Sequence, residues 1–71
     1  MIEYQRYIGK VFKNEDGSYF GKVINIKDVI IFESLTIGGI LKEFKTSIEV
    51  YIEYCKSRGK EPEKPGEIRN V

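Results

Sequence analysis

Between Thr36 and Pro65 the apolar residues Ile37, Ile40, Leu41, Phe44, Ile48, Tyr51, Ile52 and Cys55 recur at steps of three and four, the spacing that places side chains on one face of a helix. That face must pack against something. The helix end is equally marked. Lys56 and Arg58 lie where cations favour the negative end of the helix dipole, Gly59 suits the left-handed position after the last turn, and Pro62 blocks continuation. At the start, Ser34 or Thr36 can cap the helix, but Gly39 stands where a capping box would carry Glu. Gly38 and Gly39 each cost the first turn about 1 kcal/mol relative to Ala. The first turn is expected to fray, and the short side chains to let the helix sit close to a sheet.

Ahead of the helix the period changes to that of strands. In residues 4–13, Ile8 and Phe12 share one face while Tyr7 and Val11 share the other, so both faces of this strand are expected to be partly covered. Asn14-Glu15-Asp16-Gly17 is turn chemistry, with Gly17 supplying a positive φ. Residues 18–26 alternate Phe20, Ile24 and Ile26 against Tyr19, Gly21, Val23 and Asn25. Lys22 interrupts the first face and is expected to keep its ammonium in water, and Gly21 marks a bulge or a close approach of another segment. Asp28 opens a third strand, Val29 to Glu33, apolar enough to lie centrally in a sheet. Three strands joined by short turns form an antiparallel meander, and one long helix laid across it gives a two-layer α+β domain. Ile68 and Val71 in the polar tail could add a short fourth strand at an edge.

Composition narrows the function. With 71 residues the chain forms one domain that buries only about 60% of its unfolded surface, so oligomerisation would help its stability. Twelve basic and 11 acidic residues leave a net charge of +1, so no global field draws the chain to DNA or to an anionic membrane. There is no histidine and a single cysteine, which removes an intrachain disulfide, the usual general base and the commonest zinc ligand. Cys55, on the apolar helix face, reads as a buried structural thiol. MIEYQRYIGK lacks the apolar core of a signal peptide, and the longest apolar run, Val29 to Phe32, is far too short to cross a bilayer. A cytoplasmic protein without metal or cofactor is expected.

The order of these signals carries a resemblance. A strand, an Asn-Glu-Asp-Gly turn, a Tyr-Phe-Gly strand, the Asp28-Val-Ile-Ile-Phe-Glu33 strand, a Thr36-started helix, then Tyr51-x-x-x-Cys55-Lys56 and Gly59-Lys60-Glu61-Pro62 together resemble the N-terminal domain of HicB-family antitoxins, over roughly Tyr4 to Pro65. Gly38 and Gly39 depart from the pattern, since relatives tend to carry acidic residues there. The resemblance implies a reduced ribonuclease H-like fold (β-β-β-α-β) for residues 1–65. It also implies that this domain binds and neutralises a HicA-type ribonuclease toxin, a small basic protein that degrades messenger RNA. In relatives a ribbon-helix-helix or helix-turn-helix module begins about where residues 66–71 read as a tail or edge strand, so DNA binding is not carried over to this chain.

Active ribonuclease H-type nucleases need carboxylates converging on two metal ions. Here the first strand offers Gly9, Lys10 and Val11, the turn holds Glu15 and Asp16, and Glu33, Glu43, Glu49 and Glu53 are spread along strand and helix. No catalytic residues are expected, and function is sought in a surface. Partner-binding candidates are Glu15, Asp16, Asp28 and Glu33 near strand ends, with Tyr19 and Phe32 as aromatic anchors. Each has a plainer reading: Asp16 as turn former, Phe32 as core, Glu33 as solvated strand end. Two alternatives stand beside the antitoxin. Lys10, Lys13, Lys22, Lys27, Lys42 and Lys45 suggest a small RNA-binding module, although acidic residues are interspersed among them and no aromatic-glycine RNA-binding strand is present. An orphan or phage-borne HicB-like scaffold would have no toxin partner and would form a homodimer through Tyr4, Tyr7 and an exposed sheet edge.

Overall fold

A computed structural model describes residues 1–64 of the chain. Four strands, β1 (Ile2–Tyr4), β2 (Tyr7–Lys13), β3 (Tyr19–Ile24) and β4 (Ile31–Ser34), precede one helix, α1 (Ile37–Ser57). They form a four-stranded antiparallel sheet in the order β1-β2-β3-β4, with α1 packed on one face. The fold is therefore α+β, as the periodicity predicts.

Two features of the sheet differ from the sequence expectation. The strand expected over residues 4–13 is broken by a hairpin at Gln5 and Arg6, whose φ angles of 50° and 73° meet the requirement of a two-residue turn for positive φ at both central positions. Gln-Arg carries none of the usual signals for such a turn. The fourth strand thus comes from the N-terminus, and the tail strand suggested at Ile68 and Val71 lies outside the described residues. The second difference concerns β4, which stands at an edge of the sheet and not in its centre.

Gly21 marks a close approach and not a bulge. The β2–β3 register runs without interruption from Ile8↔Ile24 to Lys13↔Tyr19, while the Phe32 ring lies against Gly21 so closely that a Cβ there would collide with it. Phe32 in turn meets Phe44 of α1, ring centres 5.1 Å apart. Tyr7, Val23, Phe32, Ile40, Phe44, Ile48, Tyr51 and Cys55 make up the core. The helix stripe is narrower than its periodicity suggests, because Ile37 and Leu41 remain exposed.

Both helix ends use their sequence signals. Thr36 Oγ1 accepts from the Gly39 N–H at 3.1 Å, and a Cβ on Gly39 would strike Ser34 Oγ, so this glycine lets the helix start lie against the end of β4. Gly38 faces open space. At the other end Gly59, at φ 66°, donates to Lys56, while the Lys60 N–H donates to Cys55 at 2.8 Å, the paired bonds of a Schellman stop. No helix among the described residues is long and apolar enough to cross a membrane.

Candidate functional site

The turn joining β2 to β3 is held by its own polar groups. Asn14 N–H donates to the Ser18 carbonyl at 2.7 Å and Gly17 N–H to the Asn14 carbonyl at 3.1 Å. Asp16 Oδ1 accepts from the Ser18 N–H at 2.9 Å and from the Ser18 hydroxyl at 2.6 Å. The Ser18 hydroxyl, followed by the Ser18 N–H, holds the Asp16 carboxyl below its usual pKa. Asp16 is committed to the turn, whereas Glu15 beside it is exposed. On the adjoining end of the sheet Lys13, Tyr19 and Ser34 lie in one cross-strand row, with Glu33 one residue before Ser34. A depression of about 230 Å³ opens here, lined by Asn14, Ser18, Tyr19, Glu33, Ser34 and Leu35. Leu35 is 84% exposed, an apolar group in the lining of this depression.

Of the six residues singled out from sequence, this end of the sheet gathers Glu15, Asp16, Tyr19 and Glu33. Phe32 is excluded because its ring is buried between Gly21 and Phe44, a core position with no surface for a partner. Asp28 is elsewhere, in a latch beyond the other end of β4. Tyr51 donates to Asp28 Oδ2 at 2.8 Å and accepts from the Glu63 N–H at 3.1 Å. The Glu63 carboxylate accepts from the N–H groups of Lys27, at 2.8 Å, and Asp28, at 3.2 Å, and Lys60 Nζ lies 3.6 Å from Asp28. Burial, reinforced by the Asp28 carboxylate, pushes the Tyr51 hydroxyl well above its usual pKa. The Gly59-Lys60-Glu61-Pro62-Glu63 segment is thereby tied back to the loop before β4, which gives that sequence motif a physical reason. Asp28 works inside the molecule.

The sheet face away from α1 presents Ile8, Lys10, Phe12, Phe20, Lys22, Ile24, Ile31 and Glu33. Phe12 and Phe20 stack with centres 4.9 Å apart, Lys10 Nζ sits 5.6 Å from the Phe12 ring centre, and Lys10 and Lys22 are directly opposite one another. Among the described residues no group of three or more His, Cys, Asp and Glu side chains could hold a metal ion.

Sequence reasoning missed the exposed apolar residues that rim β4 and α1. Val29, Ile31, Leu35, Val50 and Tyr54 are all exposed, and a groove of about 410 Å³ runs between the loop and strand at Val29–Ile31 and the helix at Thr46, Ser47, Val50, Tyr51 and Tyr54. The signal is present in the unbroken apolar run Val29–Phe32, whose composition suits a sheet interior as well as an exposed apolar edge. In comparisons with known proteins no family model matches the chain, and neither a curated protein nor a solved structure matches it.

Proposed function

We propose that this chain is a non-enzymatic partner-binding domain of the HicB kind, which neutralises a small basic HicA-type ribonuclease by covering the surface that the toxin applies to messenger RNA. The observation that carries the reading is the depression at the hairpin end, which Tyr19, Glu33 and the exposed Leu35 help to line. Glu33 lines it, Glu15 and Asp16 lie in the adjoining turn, and Lys13 stands in the same cross-strand row as Tyr19. An acidic rim around aromatic and aliphatic groups suits a basic RNA-binding surface. The charges would raise the association rate and select the partner, and Tyr19 and Leu35 would supply the desolvated contact that dominates affinity.

The test is a pull-down of the 71-residue chain against a catalytically inactivated HicA-type ribonuclease from the same genome, followed by size-exclusion chromatography. A stable complex, weakened by Leu35→Asp, supports the reading. Absence of a complex, with the chain recovered as a homodimer, favours the second reading, a HicB-like scaffold without toxin. The exposed apolar edge at β4 is the observation on that side.

A further inference from the structure

Val29–Phe32 has the composition of a strand covered on both sides, yet β4 stands at a sheet edge, with Val29 82% and Ile31 56% exposed. Among the described residues, no other segment hydrogen-bonds to the outer side of that edge. Val23 N–H donates to the Ile30 carbonyl at 3.0 Å, in line with the Gly21↔Phe32 and Tyr19↔Ser34 pairs. Bonded and non-bonded pairs alternate in an antiparallel ladder, so Ile30, Phe32 and Ser34 face β3 while Ile31 and Glu33 turn their N–H and C=O groups outward. Exposed edges are usually guarded by lysine, proline or a bulge. Residues Ile31–Ser34 carry one charge, Glu33, and no lysine or proline, and their register with β3 is unbroken. The opposite edge, β1, is only three residues long and is flanked by helix side chains. Tyr4 donates to Glu49 at 2.6 Å, and Lys45 Nζ lies 5.5 Å from the Tyr4 ring centre.

We propose that β4 is the interface between two copies of this chain, paired antiparallel about a two-fold axis through Ile31, so that the sheet of one copy continues into the other. The register follows from the outward-facing residues. An axis at Ile31 sets it against the partner's Ile31, an apolar cross-strand pair, and places Glu33 opposite the partner's Val29 and diagonal to the partner's Lys27. An axis at Glu33 would oppose two carboxylates, and one at Phe32 would oppose Ile31 to the partner's Glu33. The neutral run Val29–Phe32 is thus complementary to itself in one register. Val50 and Tyr54, on the far wall of the groove beside Ile31, close over the new strand pair. The sheet face away from α1 is unsuited to a second copy, because face-to-face packing would crowd Lys10 and Lys22 against their duplicates. This inference does not rest on the antitoxin reading.

Sedimentation equilibrium of the intact chain from micromolar to millimolar concentration tests it, with amide exchange measured at both ends of the range. The wild type should dimerise, and the Ile31 and Glu33 amides should gain protection with concentration. Ile31→Lys, which brings two ammonium groups together at the axis, and Val50→Asp should each raise the dimer dissociation constant about tenfold or more, whereas Glu15→Lys, in the exposed β2–β3 turn, should leave it unchanged. Ile31→Pro removes an outward N–H and should give a folded monomer. If that variant unfolds, Ile31→Lys decides alone, since it alters only an exposed side chain. A wild type that stays monomeric throughout overturns the proposal. So does a dimer indifferent to Ile31→Lys and Val50→Asp, or equal exchange of the two amides at both concentrations.

Discussion

Replacing Tyr51 by Phe removes one oxygen and leaves the ring packed edge-on against Tyr7, centres 6.1 Å apart. That oxygen donates to the Asp28 carboxylate and accepts from the Glu63 N–H. A hydrogen bond to a charged group is worth about 1.5–3 kcal/mol and a neutral one about 0.5–1.5 kcal/mol. The Asp28 side chain is 37% exposed, and water can partly replace its lost donor, so the low end of the sum applies, about 2 kcal/mol. For a domain of this size that corresponds to a fall in Tm of roughly 8–16 °C. The pH dependence is a second, independent readout. Because the folded-state pKa of Tyr51 is raised, its contribution is fully present below the unfolded tyrosine pKa of about 10 and is lost as pH rises beyond it. The other tyrosines and the lysines titrate in the same region, so the informative quantity is the stability difference between wild type and Y51F. It should be constant from about pH 6 to 9 and shrink above about pH 10. Thermal or urea unfolding followed by circular dichroism supplies both. A fall in Tm below about 3 °C, or a difference that does not shrink in alkali, would refute the latch as a stabilising element.

Other changes separate structural from binding roles. Asp28→Lys should lower Tm by breaking the latch, whereas Glu33→Lys should leave Tm nearly unchanged and weaken toxin binding; equal thermal effects would show that the two carboxylates are not distinguished as their contacts imply. Gly21→Ala should destabilise the domain by about 1–3 kcal/mol through collision with the Phe32 ring, measurable as a lower urea midpoint. Asp16 has a depressed pKa, so its contribution exists above the unfolded carboxylate value of about 4 and is lost as pH falls through the folded one. Asp16→Ala should therefore flatten the acid limb of the stability profile, and an unaltered limb would count against the turn bonds. Cys55 is wholly buried, so a thiol reagent should react with it only in denaturant; rapid native labelling would contradict the packing.

The fold class was legible because its signals are local and mutually consistent. The helix stripe, its Gly59 stop and the Asn14–Gly17 turn each need only a few neighbouring residues to be read. The Gln5-Arg6 hairpin was not legible, because its positive φ angles are imposed by the pairing of Ile2–Tyr4 with β2 and not by glycine or asparagine. Gly21 announced a close approach but could not name Phe32, which lies on the neighbouring strand. Glu63 resembled any tail carboxylate, since its partners at Lys27 and Asp28 are distant in sequence. The candidate site was legible in part for the same reason. Turn-end residues are brought together by one hairpin, whereas Asp28 and Phe32 depend on what the tail and the helix do.

The two proposed surfaces meet at Glu33, which lines the hairpin-end depression and also turns its backbone outward along the β4 edge. A toxin seated on the depression and a second copy paired on the edge would therefore influence one another, and any such coupling must be reciprocal. If toxin and copy compete, adding inactivated toxin should dissociate the dimer, and Ile31→Lys should strengthen toxin binding by freeing the edge. If the two are compatible, Ile31→Lys should leave toxin affinity unchanged, and the complex should contain two of each chain. Glu33→Lys cannot separate these cases because it perturbs both surfaces. Glu15→Lys alters the turn beside the depression and Ile31→Lys the edge alone, so the pair of variants assigns each binding event to its own surface, and failure of one reading leaves the other standing.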